Sequence, residues 1–134
     1  MRVENYDLFA MLNRKENIIL QKTDAYGDRI LKLYQYLTEE KHEYVLSKQI
    51  LRSGTSIGAN TAESRNAQGV KDFVSKLNIS LKEADETEFW LRKLLTGNYI
   101  TDFQYESMHN DNEEIVKILT SIIKTMKGRM NDKG

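Results

Sequence analysis

The chain has neither cysteine nor proline in its 134 residues, and its charges cancel. Without cysteine, disulfide bonds and thiolate metal sites are excluded, and the sequence is compatible with a reducing compartment. Without proline, the commonest interrupter of helices is missing. Twenty basic and twenty acidic residues leave no net charge, so the chain as a whole is not attracted to nucleic acid. Any such binding has to come from a local patch.

Apolar runs long enough to span a membrane are also missing, so no membrane partner is expected. The N-terminus is polar and charged from Arg2 onward, and it lacks the apolar core of a secretory signal peptide. We therefore expect a cytoplasmic protein. A chain of this length forms one domain, which buries about two thirds of the surface that the unfolded chain exposes.

What the sequence does have is helical periodicity. Apolar residues recur at spacings of three and four in four successive segments, which is the pattern of amphipathic helices. In the first segment, Ile18 and Leu31 widen the apolar stripe. The four stripes are Ile19, Tyr26, Ile30, Leu33 and Leu37; Leu46, Ile50 and Ile57; Phe73, Leu77, Leu81, Ala84 and Leu91; and Ile115, Leu119, Ile122 and Met126.

Four amphipathic helices with short connections bury their stripes most simply as an antiparallel up-down-up-down bundle. The predicted fold class is therefore all-α, because no segment alternates like a strand. We predict a flexible N-terminal arm over residues 1–15, the four-helix bundle over residues 16–128, and a disordered tail over residues 129–134.

Two glycines and an alanine follow each other at every fourth position of the second helix: Gly54, Gly58 and Ala62. Each glycine destabilises a helix by roughly 1 kcal/mol relative to alanine. Their presence predicts that another backbone approaches this face closely. The neighbour is either a helix of the same bundle, which we favour because bundle cores also need small residues, or a second subunit.

Polar residues on apparently inward positions predict a buried polar network, in which an arginine needs a carboxylate partner because an unpaired buried charge costs several kcal/mol. The members are Arg52, Asn60, Glu63, Glu83 and Glu86. A carboxylate metal site is the alternative. Helix bundles that bind two metal ions use two Glu-x-x-His pairs, however, and this chain has one, Glu106 with His109. No nucleophile elbow or phosphate-binding loop is present, so we predict no catalytic, cofactor or metal residues.

Basic residues form two modest groups, which are the candidate partner-binding residues. Two lie at the end of the third helix and three lie along the fourth: Arg92 and Lys93, and Lys117, Lys124 and Lys127. Cations near helix C-termini also complement the helix dipole, so a structural role is the simpler interpretation. In an oligomer, however, the patch would be repeated in every subunit, and weak contacts would add up to useful avidity.

Two segments carry a resemblance to a known family. The first is Leu51–Glu63, with the sequence LRSGTSIGANTAE, and the second is the third helix with Asp72-Phe73, Lys76-Leu77, Ile79-Ser80 and the run KEADETEFWL over residues 82–91. Over roughly residues 16–126 the chain resembles bacterial four-helix-bundle proteins found in intervening sequences of large-subunit ribosomal RNA genes, once labelled ribosomal proteins.

This resemblance implies a four-helix bundle that assembles into a ring, commonly a pentamer, without demonstrated enzyme activity. It also implies kinship with the accessory protein of diversity-generating retroelements, which works with a reverse transcriptase and nucleic acid. We therefore expect a non-enzymatic homo-oligomeric adaptor that binds RNA or an RNA-associated protein. The alternative is a module that recognises protein only, which agrees with the zero net charge.

Overall fold

A computed structural model describes the backbone of residues 3–133 and the side chains of Arg14 and of residues 17–129. Four α-helices account for nearly all of this chain: α1 (Val3–Glu39), α2 (Leu46–Glu63), α3 (Val70–Thr96) and α4 (Asp102–Lys133). A short 3-10 helix, Ser64–Asn66, follows α2 directly. No strand occurs within residues 3–133, so the predicted all-α class is confirmed.

Each helix packs against the two that adjoin it around the bundle. α1 contacts α2 and α4, and α3 contacts the same two helices, while no contact joins helices across the diagonal of the described chain. Consecutive helices are therefore antiparallel neighbours, and the predicted up-down-up-down topology is confirmed. No helix within residues 3–133 combines the length and apolar character that crossing a membrane requires.

The core follows the predicted stripes. The largest fully buried side chains belong to all four helices: Tyr26, Ile19, Ile30, Leu37, Ile50, Ile57, Leu77, Leu91, Leu94, Ile115, Leu119 and Ile122. Two residues predicted to widen the first stripe, Ile18 and Leu31, are instead nearly half exposed. They lie at the edges of the α1 stripe, where the neighbouring helices no longer cover the surface.

A buried carboxylate starts α2. The side chain of Glu43 accepts hydrogen bonds from the backbone N–H groups of Val45, Leu46 and Ser47 at 3.2, 3.0 and 2.7 Å. The Ser47 hydroxyl donates back to the Glu43 carbonyl at 2.8 Å. These bonds satisfy amides that a helix N-terminus leaves without partners. The α1–α2 connection is therefore fixed by hydrogen bonds to one side chain.

A reciprocal cap starts α4. Thr101 Oγ1 accepts a hydrogen bond from the Gln104 N–H at 3.1 Å, and Gln104 Oε1 accepts one from the Thr101 N–H at 2.9 Å. This is the capping-box arrangement. The turn before it follows α3 at Gly97-Asn98, with Asn98 at φ 62 in the left-handed region. Asparagine adopts that conformation more readily than most residues.

The small residues of α2 serve the contact with α1. A Cβ atom at Gly54 would lie 2.6–2.8 Å from three side-chain atoms of Ile30, and one at Gly58 would lie 3.1 Å from the carbonyl oxygen of Thr23. Both glycines thus let the two helices approach within the bundle. Ala62 is exposed. A role of Ala62 in a subunit contact stays a prediction.

Helices α1 and α4 extend into the two segments that are predicted from the sequence to lie outside the bundle. α1 begins at Val3, inside the arm predicted over residues 1–15, and α4 continues to Lys133, inside the tail predicted over residues 129–134. Apart from Arg14 and Arg129, the side chains of these segments lie outside the described residues. The mobility of arm and tail stays a prediction.

The glycines of α1 and α2 give a matched pair of substitutions. Gly54→Ala forces a methyl group against the buried Ile30, and overpacking of this kind costs about 1–3 kcal/mol. Gly27→Ala meets no atom within 4 Å. It replaces a helical glycine at an open position, so it raises stability by about 1 kcal/mol. Urea unfolding measures both, and a Gly54→Ala variant as stable as the Gly27→Ala variant would contradict the close α1–α2 contact.

Candidate functional site

A concave surface between α3 and α4, the α3–α4 groove, has a volume of about 610 Å³. Its lining combines apolar, amide, hydroxyl and ammonium groups: Asn78, Leu81, Thr120, Ile123, Lys124, Lys127 and Gly128. Leu81 and Ile123 form the apolar floor, because Ile123 is buried and Leu81 is half-buried. The lysines stand on the α4 side and are exposed.

The five candidate partner-binding residues fall into two places. Arg92 and Lys93 lie near the C-terminal end of α3, where Arg92 Nη1 is 3.7 Å from a Glu88 oxygen and Lys93 Nζ is 5.2 Å from the centre of the Phe89 ring. Lys117 lies at the middle of α4, and Lys124 and Lys127 lie in its second half, where they line the α3–α4 groove. Since α3 and α4 are antiparallel, the two groups are at different levels of the bundle.

The predicted polar network forms only in part, and at the surface. Arg52 pairs with Glu86, and its Nη1 lies 3.5 Å from Glu83, but half of the Arg52 side chain is exposed. Asn60 donates to the backbone of its own helix, and Glu63 faces Lys76 at 3.9 Å. The prediction of burial was wrong for Arg52 and Glu63, which are exposed, whereas Asn60, Glu83 and Glu86 are half-buried at the rim of the α2–α3 contact.

The buried polar groups of this contact are hydroxyls. Thr87 Oγ1 donates to Ser53 Oγ at 2.9 Å, and further along the helices Thr61 Oγ1 lies 3.0 Å from Ser80 Oγ. All four residues are essentially inaccessible to solvent. Ser80 also donates to the carbonyl of Ile57 at 3.0 Å. We call Ser53, Thr61, Ser80 and Thr87 the hydroxyl ladder. It needs no charge to join α2 to α3.

A second polar cluster joins α3 to α4 around Glu88. Its carboxylate accepts a hydrogen bond from the Tyr105 hydroxyl at 2.6 Å and lies 2.8 Å from His109 Nδ1. The Tyr105 and His109 rings stack, with centroids 5.5 Å apart. The other ring nitrogen, His109 Nε2, lies 3.0 Å from Glu113. We call Glu88, Tyr105, His109 and Glu113 the Glu88 cluster.

Ionisation in the Glu88 cluster is shifted by these contacts. The hydrogen bond to Glu88 is the main cause that raises the pKa of His109, and the charges of Glu88, Glu113 and Glu106 act in the same direction. Burial, followed by the hydrogen bond to Glu88, raises the pKa of Tyr105 to about 12. Beside Lys117, the pKa of Glu113 is lowered. The two carboxylates beside the ring nitrogens of His109 thus favour the protonated form of its imidazole.

The Glu88 cluster does not assemble a metal site. The His109 ring contacts the carboxylates of Glu88 and Glu113. Glu106, which the sequence pattern pairs with His109, is not one of these contacts. Among the side chains that the structure describes, no group of three or more histidine, cysteine, aspartate or glutamate residues is placed to hold a metal ion. Both ring nitrogens face carboxylates, which makes the cluster an ion-pair contact between helices.

The end of the bundle that carries the α1–α2 and α3–α4 connections exposes large apolar side chains. Phe103 is 83% exposed, Val45 is 70% exposed and Tyr44 is 54% exposed. Between the two connections lies a depression of about 310 Å³ that is lined by Tyr36, Tyr99 and others of their neighbours. Sequence reasoning missed this surface because connections were treated as polar, whereas exposed apolar clusters mark interaction sites.

Comparisons with known proteins agree with the bundle. The model of a family described as 23S rRNA-intervening sequence protein matches residues 15–121. A crystal structure from Bacteroides thetaiotaomicron VPI-5482, described as a protein with unknown function from the S23 ribosomal protein family, is 55% identical and superposes with a TM-score of 0.81. The match covers 82% of this chain and 98% of that chain. No curated protein matches the chain.

The exposed ion pair of Arg52 with Glu86 and the buried hydroxyl ladder differ in their expected contribution to stability. Arg52→Gln removes an exposed ion pair, so the free energy of unfolding changes by less than about 1 kcal/mol. Thr87→Val keeps the shape but leaves the buried Ser53 hydroxyl without this partner, which lowers the free energy of unfolding by about 1–3 kcal/mol. Denaturant unfolding compares the two variants. A larger effect at Arg52 would mean that the ion pair, and not the ladder, joins α2 to α3.

The Glu88 cluster predicts a pH dependence of stability. The pKa of His109 is raised in the folded state, so its stabilisation is fully present below the unfolded value of about 6.5 and is lost as the pH rises through the folded pKa. The difference in free energy of unfolding between the wild type and His109→Gln is therefore largest below about pH 6.5 and shrinks as the pH rises above it. Urea titrations on both sides of this pH measure it, and a difference that grows with pH would refute the assignment.

Proposed function

The chain belongs to the 23S rRNA-intervening sequence protein family, and from this premise we propose that it is a non-enzymatic, homo-oligomeric helical-bundle adaptor for RNA or an RNA-associated protein. The family description and the unassigned function of the similar crystal structure fix no activity. The proposal therefore depends on surfaces that are suited to binding. Glu88, His109 and the hydroxyls of the ladder all have partners within the bundle and serve its packing.

Exposed apolar side chains are the observation that supports assembly. Among the side chains that the structure describes, seven large apolar ones are at least 39% exposed: Ile18, Leu31, Tyr44, Val45, Ile79, Phe89 and Phe103. Scattered apolar residues are normal on a protein surface, but Tyr44, Val45 and Phe103 share one end of the bundle. Gly54 is already occupied by the contact with α1. A subunit interface therefore uses the outer faces of the helices or the end of the bundle that carries the α1–α2 and α3–α4 connections, which we call the loop end. A pentamer is the assembly we propose.

Protein-only recognition is the second candidate function, and the zero net charge favours it. Binding of RNA through phosphate contacts releases counterions, so retention on immobilised RNA falls steeply as salt increases. Recognition of a protein through an apolar surface depends less on salt. Salt-dependent retention on immobilised RNA therefore separates RNA binding from recognition of a protein through an apolar surface.

The mass of the purified protein in solution is the direct test of assembly. Light scattering at micromolar concentration is expected to give a multiple of the 15.6 kDa chain, about five times that mass for a ring of five. Phe103→Ser removes the most exposed apolar side chain of the loop end and is expected to lower that mass. Lys48→Ser, at an exposed position on α2, is the control. A monomeric wild type would remove the homo-oligomeric part of the proposal.

A further inference from the structure

Two lysines of α4, Lys124 and Lys127, line the α3–α4 groove, and further lysines lie on α3 and α4 outside its lining. On α4, Lys117, Thr120, Lys124 and Lys127 follow spacings of three, four and three, which places them on one side of the helix. On α3, one lysine lies seven residues before the groove residue Asn78 and another lies four residues after it. We call these residues the lysine rows: Lys71 and Lys82 on α3, and Lys117, Lys124 and Lys127 on α4.

Within residues 17–129 most members of the lysine rows form no ion pair, although the exposed Asp85 follows Lys82 by three residues on α3. Lys71, Lys82, Lys124 and Lys127 are exposed, and within the described part of the chain none of the four forms an ion pair. Lys117 is the exception, since its Nζ lies 3.2 Å from Glu113. From residue 115 to residue 130 the sequence has no aspartate or glutamate at all. In a chain without net charge this is a concentrated positive surface.

The residues that line the groove indicate which of two anionic partners fits it better, a nucleic acid or an acidic helix. Of the seven lining residues none is an arginine or an aromatic residue. The groove thus offers no guanidinium for bidentate phosphate binding and no ring on which a base could stack. It offers instead the apolar side chains of Leu81 and Ile123 between the two lysine rows. An apolar floor with cationic borders matches a helix that is apolar on one face and acidic on its flanks.

We propose that the α3–α4 groove binds an acidic amphipathic helix of a partner protein. Leucine-like side chains of that helix lie on Leu81 and Ile123, and carboxylates on its two flanks reach the lysine rows. Lys71 and Lys82 are eleven residues apart, which is about 17 Å along α3, the length of about three helical turns. Exposed lysines steer such a partner into the groove and make binding dependent on salt. The proposal rests on the proposed adaptor function, whose partner it specifies.

Binding of a synthetic peptide tests the proposal. The probe is a fluorescein-labelled 14-residue helix with leucines at i, i+3, i+4 and i+7 and glutamates on both flanks, and the readout is fluorescence anisotropy with the full-length protein at low salt. Saturable binding is expected in the micromolar range, with at least a tenfold loss in the Lys124→Glu, Lys127→Glu double variant. The control protein, Lys32→Glu with Lys48→Glu, has the same net charge but changes exposed lysines on α1 and α2, and it is expected to bind like the wild type.

Several outcomes would overturn the proposal. The first is no saturable binding up to about 1 mM peptide, and the second is an equal loss in both double variants, which would show attraction by net charge alone. Equal binding of a peptide with the same composition but no apolar face would show that the apolar floor of Leu81 and Ile123 does not contribute to binding. Tighter binding of a 14-nucleotide oligouridine, abolished by the groove substitutions, would assign the groove to nucleic acid.

Light scattering of the same variants separates this proposal from the adaptor function. The Lys124→Glu, Lys127→Glu variant is expected to keep the mass of the wild type, and circular dichroism checks that it is folded. A change of mass would make the groove a contact between subunits and overturn the proposal. A monomeric wild type that binds the peptide would instead contradict homo-oligomerisation and leave the groove assignment in place.

Discussion

The close approach of α2 to α1 at Gly54 and Gly58 is the constraint on which the rest of the bundle depends. Three atoms of Ile30 occupy the space that a side chain at residue 54 would need, and the backbone of α1 adjoins residue 58. With α2 placed this near to α1, its adjoining face presents Ser53 and Thr61 to α3 at hydrogen-bonding distance. Small residues on one face of the helix thus influence which polar pairs form on the next.

The bundle uses different chemistry on its two inter-helix contacts with α3. Uncharged hydroxyls join α2 to α3, and they remain satisfied at any pH at which the protein is folded. Ionisable groups join α3 to α4 through Glu88, Tyr105 and His109. The first contact is therefore insensitive to acidity, whereas the second responds to it. This difference places the pH sensitivity of the fold on the same helix pair that forms the α3–α4 groove.

The architecture is predicted well from the sequence because one period governs it. Spacings of three and four identify all four helices, and residues such as Ile30, Ile57, Leu77 and Leu119 are buried as their pattern predicts. The positions of polar side chains are predicted less well, because a helical wheel does not say how far a neighbouring helix covers its edge. Arg52 was expected inside for this reason and is half exposed. Contacts between distant residues are harder still, since the partner of His109 across the helix pair is Glu88, twenty-one residues away.

The stretch of α4 without carboxylates has a consequence for the electrostatics of the whole molecule. Residues 117–129 contain Lys117, Lys124, Lys127 and Arg129, so the remainder of a neutral chain carries an excess of four negative charges. The protein therefore has a permanent dipole moment although it has no monopole. Such a molecule migrates slowly in an electric field but rotates in the field of a charged body, so it meets that body with a preferred orientation before any atoms touch.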